Sequence, residues 1–123
     1  MIVVHTSIPI DPDRYDDALA IVADLAERSR QEPGVVTYHA TTDVTDEHTV
    51  RFFEQYEDRS AWEAHADSDH LQQFEARLPE LVAGEMETVS VTGGDRRAYT
   101  FTTDDLETTD PETDYLDSET EEP

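Results

Sequence analysis

The N-terminal part of the chain predicts a β-strand followed by a helix. Ile2 to Ile8 is rich in β-branched residues, and Pro9 closes this run. Asp11 and Pro12 then favour a helix start, because aspartate caps the free N–H groups of a first turn and proline has no N–H to lose there. Apolar residues recur at steps of three and four as far as Gln31, which predicts one amphipathic helix. Its apolar stripe consists of Tyr15, Ala18, Leu19, Val22, Leu25 and Ala26.

Two runs of β-branched and aromatic residues follow Pro33-Gly34. Val35 to Thr42 predicts a second strand, and Thr49 to Tyr56 predicts a third. The polar segment Asp43 to His48 lies between them. We therefore expect the two strands to form an antiparallel hairpin.

Two short helices and a last strand complete the pattern. Ser60 to Ala66 predicts the first helix, capped by Asp58 or by its own first residue. Asp69 to Leu81 predicts the second helix, which passes through Pro79, with an earlier end at that proline as the alternative. Glu85 to Thr92 predicts the strand. The order strand, helix, two strands, helices, strand indicates an α+β fold with a ferredoxin-like antiparallel sheet and helices on one face.

Both faces of the predicted sheet carry apolar side chains. A sheet with helices on one face and water on the other alternates strictly between apolar and polar residues. The helices suffice for one face only, so we predict that a second copy of the same sheet covers the other face in a homodimer. The alternative is a small twisted sheet whose outer apolar residues stay exposed. In each of three predicted strands, apolar residues occupy both the odd and the even positions, which face opposite sides of the sheet. The residues on one side and the other are Val50 and Phe52 with Phe53 opposite, Val36 and Tyr38 with Val35 opposite, and Ile2 and Val4 with Val3 opposite.

The composition changes at Gly93-Gly94. We predict a folded domain over residues 1–92 and an acidic C-terminal tail over residues 93–123. The tail is expected to be largely disordered, because it offers too little apolar surface to offset the entropy of ordering. Within it, Arg97 to Phe101 could add an edge strand to the sheet.

The charge is strongly negative along the whole chain. There are 31 acidic residues against 8 basic ones, all arginine, for a net charge of −23. Before Gly93 lie 20 acids and 6 arginines (net −14), and after it 11 acids and 2 arginines (net −9), so the acidity is not confined to the tail. This charge argues against nucleic acid or an anionic membrane as a partner. Because concentrated salt screens such self-repulsion, we predict a halophilic source; the alternative is an ordinary acidic protein with an acidic tail.

Several chemistries are disfavoured by what the sequence lacks. No apolar run approaches the roughly 20 residues of a membrane helix, and Met1 leads into the first strand without a basic leader, so we expect a soluble, cytoplasmic protein. The absence of cysteine excludes disulfides, thiol nucleophiles and cysteine-bound metals. Glycine-rich nucleotide loops and the zinc-protease and serine-hydrolase motifs are also absent.

Histidines and aromatic residues remain as candidate chemistry. His65 and His70 are five residues apart, about 140° around a continuous helix, so this spacing argues against one metal ion held by both, and we expect no metal. The predicted break at Asp67-Ser68 leaves the angle between the two side chains open. Trp62 shares a helix face with His65, and Phe74 shares one with His70. Each pair suits a general base beside a flat apolar substrate, and equally suits a packed core histidine.

Three further histidines and two glutamates have both functional and structural interpretations. His5 and His39 lie on predicted strands and could face a pocket or the dimer seam, whereas His48 lies in the predicted hairpin loop and should be solvated. Glu32 and Glu54 are candidate buried carboxylates, with a surface position as the alternative.

Three segments carry a family resemblance. Gln31 to Tyr38 (QEPGVVTY) resembles an E-P-G-x-x-x-Y entry to a second strand, and Phe53 to Asp58 (FEQYED) resembles the third strand that follows it. Trp62 to Phe74 resembles the helical motif L-E-A-H-x-x-x-x-H-x-x-x-F. In this order the motifs resemble those of the antibiotic biosynthesis monooxygenase family over about residues 1–92. Together with the charge, the resemblance indicates a quinol-monooxygenase-like member from a halophilic archaeon.

The resemblance implies a dimeric α+β barrel and a reaction without a cofactor. In such a reaction a deprotonated quinol or phenol reduces dioxygen itself, so the protein supplies a base, an apolar cavity and donors for the developing oxyanion. The motif residues His65 and His70 would be catalytic. The residues that would bind the small aromatic substrate are Tyr38, Phe53, Trp62 and Phe74, with His5 as a further polar contact.

Two other functions occur with the same resemblance. One is a dimeric module that binds or senses a small molecule without turning it over, because a fold alone does not decide function. The other is haem degradation, which is disfavoured because that branch's tryptophan position aligns with His65 and its histidine position with Glu75.

Overall fold

The computed structural model describes residues 1–93 and 95–108 of the chain. A 3₁₀ turn over Pro12–Arg14 precedes the first helix. The elements in chain order are β1 (Ile2–Pro9), α1 (Tyr15–Arg30), β2 (Val35–Asp43), β3 (Asp46–Tyr56), α2 (Arg59–Ala66), α3 (Asp69–Leu81), β4 (Met86–Thr92), β5 (Asp95–Phe101) and α4 (Thr103–Thr108).

The strands form one antiparallel sheet in the order β2-β3-β1-β4-β5. Helix α1 packs against β2 and α3, and α2 packs against β3. The fold is therefore the ferredoxin-like α+β arrangement that the sequence predicts, extended by a fifth strand. Within the part of the chain that the structure describes, no helix combines the length and the apolar character needed to cross a membrane.

Side-chain caps separate the two short helices. The Asp58 carboxylate accepts a hydrogen bond from the N–H of Ala61 at 2.9 Å and caps α2. The Ser68 hydroxyl accepts one from the N–H of Leu71 at 3.3 Å and caps α3. Helix α3 covers Asp69–Leu81 as predicted, and Pro79 does not end it early. Pro79 lies in the last turn, where its missing N–H removes a single hydrogen bond.

The β2–β3 hairpin is tighter than predicted, because β3 begins at Asp46. The Asp43 carboxylate accepts hydrogen bonds from the hydroxyl and the N–H of Thr45, both at 2.8 Å, and from Nε of Arg51 at 2.9 Å. These bonds lower the pKa of Asp43 to about 2. The turn is therefore held by one ionised carboxylate, and most of the predicted loop belongs to a strand.

Alternate residues of the strands face opposite sides of the sheet. We call the side covered by the helices the inner face and the opposite side the outer face. The central inner-face residues Val4, Ile8, Tyr38, Val50, Phe52, Glu54 and Thr88 are buried. The outer face carries Val3, His5, His39, Phe53 and Val89, of which Phe53 is 40% exposed. Apolar residues therefore occupy both faces, as predicted, but in the single chain only the inner ones form a packed core. The grouping predicted for β2 is wrong, because a register shift between Val35 and Thr37 places Val35 against the core with Tyr38 and leaves Val36 50% exposed.

Gly34 is required where the turn after α1 approaches α2. Its φ angle is +85°, and a Cβ atom at this position would lie 2.5 Å from Cβ of Ala61. The carbonyl of Gly34 also accepts the N–H of Glu57 at 2.8 Å. Only glycine combines the positive φ with this close approach. The contact brings the turn that contains Glu32 close to α2.

Regular structure continues beyond residue 92. Strand β5 pairs with β4 from Met86 opposite Phe101 to Thr92 opposite Asp95. These backbone hydrogen bonds, and the packing of Phe101 and Leu106 against the core, order part of the segment that was expected to be largely disordered. Residues 109–123 lie outside the described residues, so the prediction of disorder there stays a prediction.

Candidate functional site

A cavity of about 50 Å³ lies between the inner face and the helices. Its apolar wall comes from the sheet and from α1 and α3, with Phe101 and Leu106 from the C-terminal elements: Val4, Ile8, Leu25, Phe52, Leu71, Phe74, Leu78, Met86, Phe101 and Leu106. Its polar wall contains Thr6, Tyr38, Glu54, His65, Glu75 and Thr88. A mostly apolar cavity with a few convergent polar groups is the usual form of a small-molecule site.

The alternation of β1, β3 and β4 positions part of the polar wall. Thr6 lies opposite Phe52 on one side and Thr88 on the other. The hydroxyl oxygens of Thr6 and Thr88 are 3.1 Å apart. Two hydroxyl groups that bond each other retain further donor and acceptor capacity for a molecule in the cavity.

Glu54 is a buried carboxyl group on the cavity wall. It follows Phe52 by two residues, so it shares the inner face with Phe52 and Tyr56. The Tyr56 hydroxyl donates a hydrogen bond to Oε1 of Glu54 at 2.5 Å. Burial raises the pKa of Glu54, although the nearby His65 and the bond from Tyr56 oppose that effect. The neutral form is therefore favoured over a wider pH range than for an exposed glutamate.

His65 connects the cavity with the turn after α1. It lies in the last turn of α2, is 3% exposed, and lines the cavity. Its ring centroid is 5.1 Å from that of Tyr38 and 5.7 Å from that of Tyr56. Its Nδ1 lies 2.9 Å from Oε2 of Glu32. When a carboxylate accepts the Nδ1–H of a neutral histidine, the lone pair lies on Nε2.

His70 binds the same carboxylate oxygen from the other side. Its Nε2 lies 2.5 Å from Oε2 of Glu32. The separation of about 140° holds only for one continuous helix, and the predicted break at Asp67-Ser68 is present in the structure. The chain leaves α2 at Asp67 and starts α3 after Ser68, so two helices direct the imidazoles toward Glu32. Glu32, His65 and His70, which we call the Glu–His–His cluster, keep their ligand atoms within 4.8 Å of one another.

The two histidines keep Glu32 ionised. Partial burial works to raise the pKa of Glu32, but the hydrogen bonds and charges of His65 and His70 outweigh burial and hold the pKa below its usual value. An ionised carboxylate fixes the orientation of an imidazole and stabilises its protonated form. This arrangement can therefore make His65 a general base toward the cavity, and its donor atoms could also hold a metal ion.

Only part of the predicted substrate-binding set lies at this cavity. Tyr38 and Phe74 line it, whereas Trp62 does not. Trp62 stacks on Tyr56, with ring centroids 6.5 Å apart, in a second buried cluster. Trp62 and His65 share a helix face as predicted, and both rings contact Tyr56, but only His65 lines the cavity.

His5 and Phe53 lie on the outer face and do not line this cavity, so their predicted contact with the substrate stays a prediction. His5 is opposite Phe53 in the sheet, and His39 is opposite Phe53 on its other side. Burial and the positive charge of Arg51 lower the pKa of His5, while Glu87 acts in the other direction. The parity of the strands separates these residues from the cavity by the thickness of the sheet.

His48 is not in the hairpin loop as predicted. It lies in β3, and its ring contacts Tyr15 edge-on at a centroid distance of 5.1 Å. The ring is half-buried rather than solvated. His48 therefore supports the packing of α1, remote from the cavity lining.

Sequence reasoning left some cavity residues out of the predicted site. Glu54 could have been included from its two-residue spacing to Phe52 and Tyr56. Thr6 and Thr88 could not, because their contact depends on the pairing of β1 with β4. Phe101 was foreseen only as part of an edge strand, and Leu106 was not foreseen at all.

The sequence profile of the antibiotic biosynthesis monooxygenase family matches residues 1–77. The chain belongs to this family. An uncharacterised protein of Synechocystis is 32% identical over 82 residues, which cover 67% of this chain and 56% of that protein. This chain thus spans little more than half the length of that relative. A Bacillus subtilis protein named "Putative monooxygenase YcnE" is 29% identical over 89 residues, covering 72% of this chain and 94% of that protein.

Solved structures share the fold. A crystal structure described as an antibiotic biosynthesis monooxygenase superposes with a TM-score of 0.71 at 25% identity, covering 76% of this chain and 98% of that one. A Mycobacterium tuberculosis protein superposes with a TM-score of 0.70 at 22% identity, covering 76% and 95% of the two chains. The second similarity shows the fold alone.

Proposed function

We propose that this protein is a cofactor-independent monooxygenase that oxidises a small quinol or phenol with dioxygen. The observation that supports this function is the position of His65, which lines the cavity while Glu32 holds its Nδ1 at 2.9 Å. The other ring nitrogen is then the one available to a substrate hydroxyl. Family membership supports a monooxygenase-like reaction, and the quinol or phenol substrate is part of the proposal.

The reaction needs only the substrate and dioxygen. His65 takes the hydroxyl proton, and the phenolate transfers an electron to dioxygen, which gives superoxide and a ring radical. Their combination forms a carbon–oxygen bond, and the resulting peroxide anion takes the proton back from His65 to give a ring hydroperoxide. The hydroperoxide loses water, with the hydrogen of the same ring carbon, to give a quinone. One oxygen atom enters the product and the other leaves in water.

Polar groups opposite His65 would stabilise the charge that develops on oxygen. The hydroxyl groups of Thr6 and Thr88 share one hydrogen bond, so the second of their two hydroxyl hydrogens can be donated to an oxyanion in the cavity. The raised pKa of Glu54 favours a neutral carboxyl, which has a proton to donate. Tyr38 and Phe74 would pack against the aromatic ring of the substrate.

The two catalytic histidines predicted from the sequence receive different functions in this proposal. His65 is the base. His70 lies across Glu32 from it and is not part of the cavity wall. His70 therefore acts as a positioning residue, because its bond to Glu32 helps to hold the carboxylate on His65.

The cavity has to widen before an aromatic substrate can bind. Its volume of about 50 Å³ is below the roughly 300–1,000 Å³ of ordinary ligand pockets. Leu106 of α4 and Phe101 of β5 form the part of the wall contributed by the C-terminal elements. We assign the opening to displacement of these side chains, since α4 is a helix of only 6 residues.

The proposal includes a homodimer that forms through the outer faces of two sheets. It also places the protein in the cytoplasm of a halophilic archaeon. Phe53 is 40% exposed and Val36 is 50% exposed in the single chain, and burial of such residues favours association. At about 1 M salt, screening acts over about 3 Å and reduces the repulsion between two acidic copies. A cooperative loss of circular dichroism below about 1 M KCl is expected; full structure in salt-free buffer would contradict the halophilic origin.

Oxygen uptake tests the proposed reaction. The full-length protein in concentrated KCl is given a reduced naphthoquinone, a naphthol and a catechol in turn, and autoxidation is subtracted. We expect uptake with at least one substrate and a decrease of about 100-fold or more in His65→Ala, since positioned bases contribute roughly 10²–10⁴-fold. His48→Gln is the matched control, because that histidine lies outside the cavity lining.

Two results would contradict the proposal. Saturable binding without oxygen uptake for the whole panel would indicate a binding module instead of an enzyme. Unchanged uptake in His65→Ala, with the variant folded by circular dichroism, would remove His65 as the base.

A further inference from the structure

We propose that the Glu–His–His cluster binds one divalent transition-metal ion of the zinc type. The ligands would be Oε2 of Glu32, Nδ1 of His65 and Nε2 of His70. This inference goes beyond the proposed function, which uses no metal. It also reverses the expectation of no metal that the sequence spacing supported.

The distances fit an ion with small adjustments. Oε2 of Glu32 lies 2.9 Å from Nδ1 of His65 and 2.5 Å from Nε2 of His70. Ligand atoms at about 2.0–2.1 Å from a zinc-type ion are roughly 3.0–3.4 Å from one another. All three atoms already lie within 4.8 Å. Rotations of the side chains are therefore enough to exchange two hydrogen bonds for three metal bonds.

The donor set selects a class of metal. Two imidazole nitrogens and one carboxylate oxygen suit zinc, cobalt, nickel, copper and iron(II), whereas magnesium and calcium prefer oxygen donors alone. Three protein ligands leave at least one position for water, as in zinc sites that have an open position. The cluster is therefore distinct from the many exposed carboxylates of this acidic chain.

The surrounding fold holds the ligands from three separate elements. Glu32 is in the turn after α1, where Gly34 fits against Ala61. His65 is in the last turn of α2, and His70 is in the first turn of α3. Ligands fixed by different elements lose little conformational freedom when an ion binds.

An ion can reach the cluster from solvent. The side chains of Glu32 and His70 are 14% and 19% exposed, whereas that of His65 is 4% exposed. A surface depression lined by Arg28, Gln31, Glu32, Pro33 and His70 opens beside them. The charge of Arg28 is partly compensated by Asp24, whose carboxylate lies 3.0 Å from its Nε. Water ligands of the ion would occupy this depression.

A bound ion would change what His65 presents to the cavity. Metal on Nδ1 leaves the proton of a neutral imidazole on Nε2, so the nitrogen that serves as a base in the proposed reaction becomes a donor. Metal occupancy and base catalysis by His65 would then exclude each other. Binding itself is measurable without any substrate.

Cobalt(II) titration of the metal-free, full-length protein in concentrated KCl tests the site. We expect one Co²⁺ per chain, bound at about micromolar concentrations with visible d–d absorption, and displacement by Zn²⁺ but not by Mg²⁺. His70→Gln should weaken binding by about tenfold or more, because one of three ligands is lost. Glu32→Gln, which keeps the shape of the side chain, should do the same. His48→Gln and Glu63→Gln, an exposed acid on α2, should bind as the wild type does.

Three outcomes would overturn the site. The first is that the wild type does not bind Co²⁺ at about millimolar concentration. The second is that His70→Gln binds Co²⁺ as tightly as the wild type. The third is that Mg²⁺ displaces Co²⁺, which would indicate binding to surface carboxylates. If a variant fails to fold, a thermal shift with Zn²⁺ on the wild type decides, since an ion bound by the native state raises Tm. A protein that binds no metal could still take up oxygen with a substrate. The metal-site proposal and the proposed monooxygenase function can therefore be refuted independently of each other.

Discussion

The two faces of the sheet carry similar residue types in opposite environments. On the inner face, Phe52 is 2% exposed and packs edge-to-face with Phe74 at a centroid distance of 5.9 Å. One residue later, Phe53 on the outer face is 40% exposed, between His5 and His39. The comparison shows that, of two adjacent phenylalanines in β3, only the one on the side that the helices cover lines the cavity.

The same comparison separates the histidines. His65 reaches the cavity from the inner side, with Glu32 and His70 behind it. His5 and His39 lie on the outer face, where a second copy of the chain is the proposed partner. The proposed chemistry and the proposed association therefore lie on opposite sides of one sheet.

The largest expected effect comes from replacing Phe52 and Phe53 separately by alanine. Phe52→Ala should lower the free energy of unfolding by about 3–5 kcal/mol, because it leaves a cavity in the packed core. Phe53→Ala should change the stability of the single chain by less than about 1 kcal/mol, because that ring is half in solvent. Denaturant unfolding measures both variants.

The same pair of variants tests the outer face as an interface. In sedimentation equilibrium at high salt, Phe53→Ala should shift the population from dimer toward monomer, because an exposed aromatic residue is lost from the contact. A wild-type protein that stays monomeric, or a dimer insensitive to Phe53→Ala, would contradict the proposed use of the outer face. Equal destabilisation by the two substitutions would contradict the comparison of the faces.

A smaller effect is expected at the turn that carries Glu32. Gly34→Ala should destabilise the protein by about 2–3 kcal/mol, because alanine disfavours the positive φ and its Cβ would meet Ala61. Gly84→Ala is the matched control. A Cβ there would have Pro9 at 3.7 Å, an ordinary contact, so the control should be nearly neutral. Thermal unfolding measures both, and equal Tm values would refute the close approach of the turn to α2.

The smallest effect, and the one with a pH signature, is expected for Glu54→Gln. Because burial raises the pKa of Glu54, the native state binds a proton that the unfolded state releases once the pH exceeds the ordinary glutamate value. The wild type therefore loses stability as the pH rises from that value toward the raised native pKa. Glutamine has no such penalty and can still accept the Tyr56 hydroxyl.

The measurement for Glu54→Gln is Tm against pH in parallel with the wild type. The variant should be the more stable protein at pH 7–8, and the difference should shrink toward pH 4, where both states of the wild type are protonated. A variant that is less stable at pH 7 and more stable at pH 4 would show the opposite sign, and Glu54 would then be ionised in the native protein.

Local patterns in the sequence determined much of the fold. The β-branched runs, the Asp58 cap and the Pro33-Gly34 turn lead to the observed strands and helices, because propensity, capping and turn geometry act within a few residues. The error at His48 is also local. Tertiary packing continues β3 through this polar residue, although the local sequence favours a loop.

The candidate site was predictable only in part. The family motifs singled out His65, His70, Tyr38 and Phe74, and the structure places all of them around the cavity or at its Glu32 support. Trp62 was placed at the same site because helix spacing identifies a shared face but not which neighbour covers it. Contact across the sheet, as between Thr6 and Thr88, has no local signal at all.

By itself, the sequence determined the order of elements, the two apolar parities of the strands, the acidic surface and the motifs of the family. The tertiary structure decided which parity faces the helices, and so which of two adjacent phenylalanines borders a cavity. It also decided that Glu32 meets His65, 33 residues away, and His70, 38 residues away. The physical reason is that residue spacing limits geometry only within one element, whereas these contacts depend on how separate elements pack when apolar area is buried.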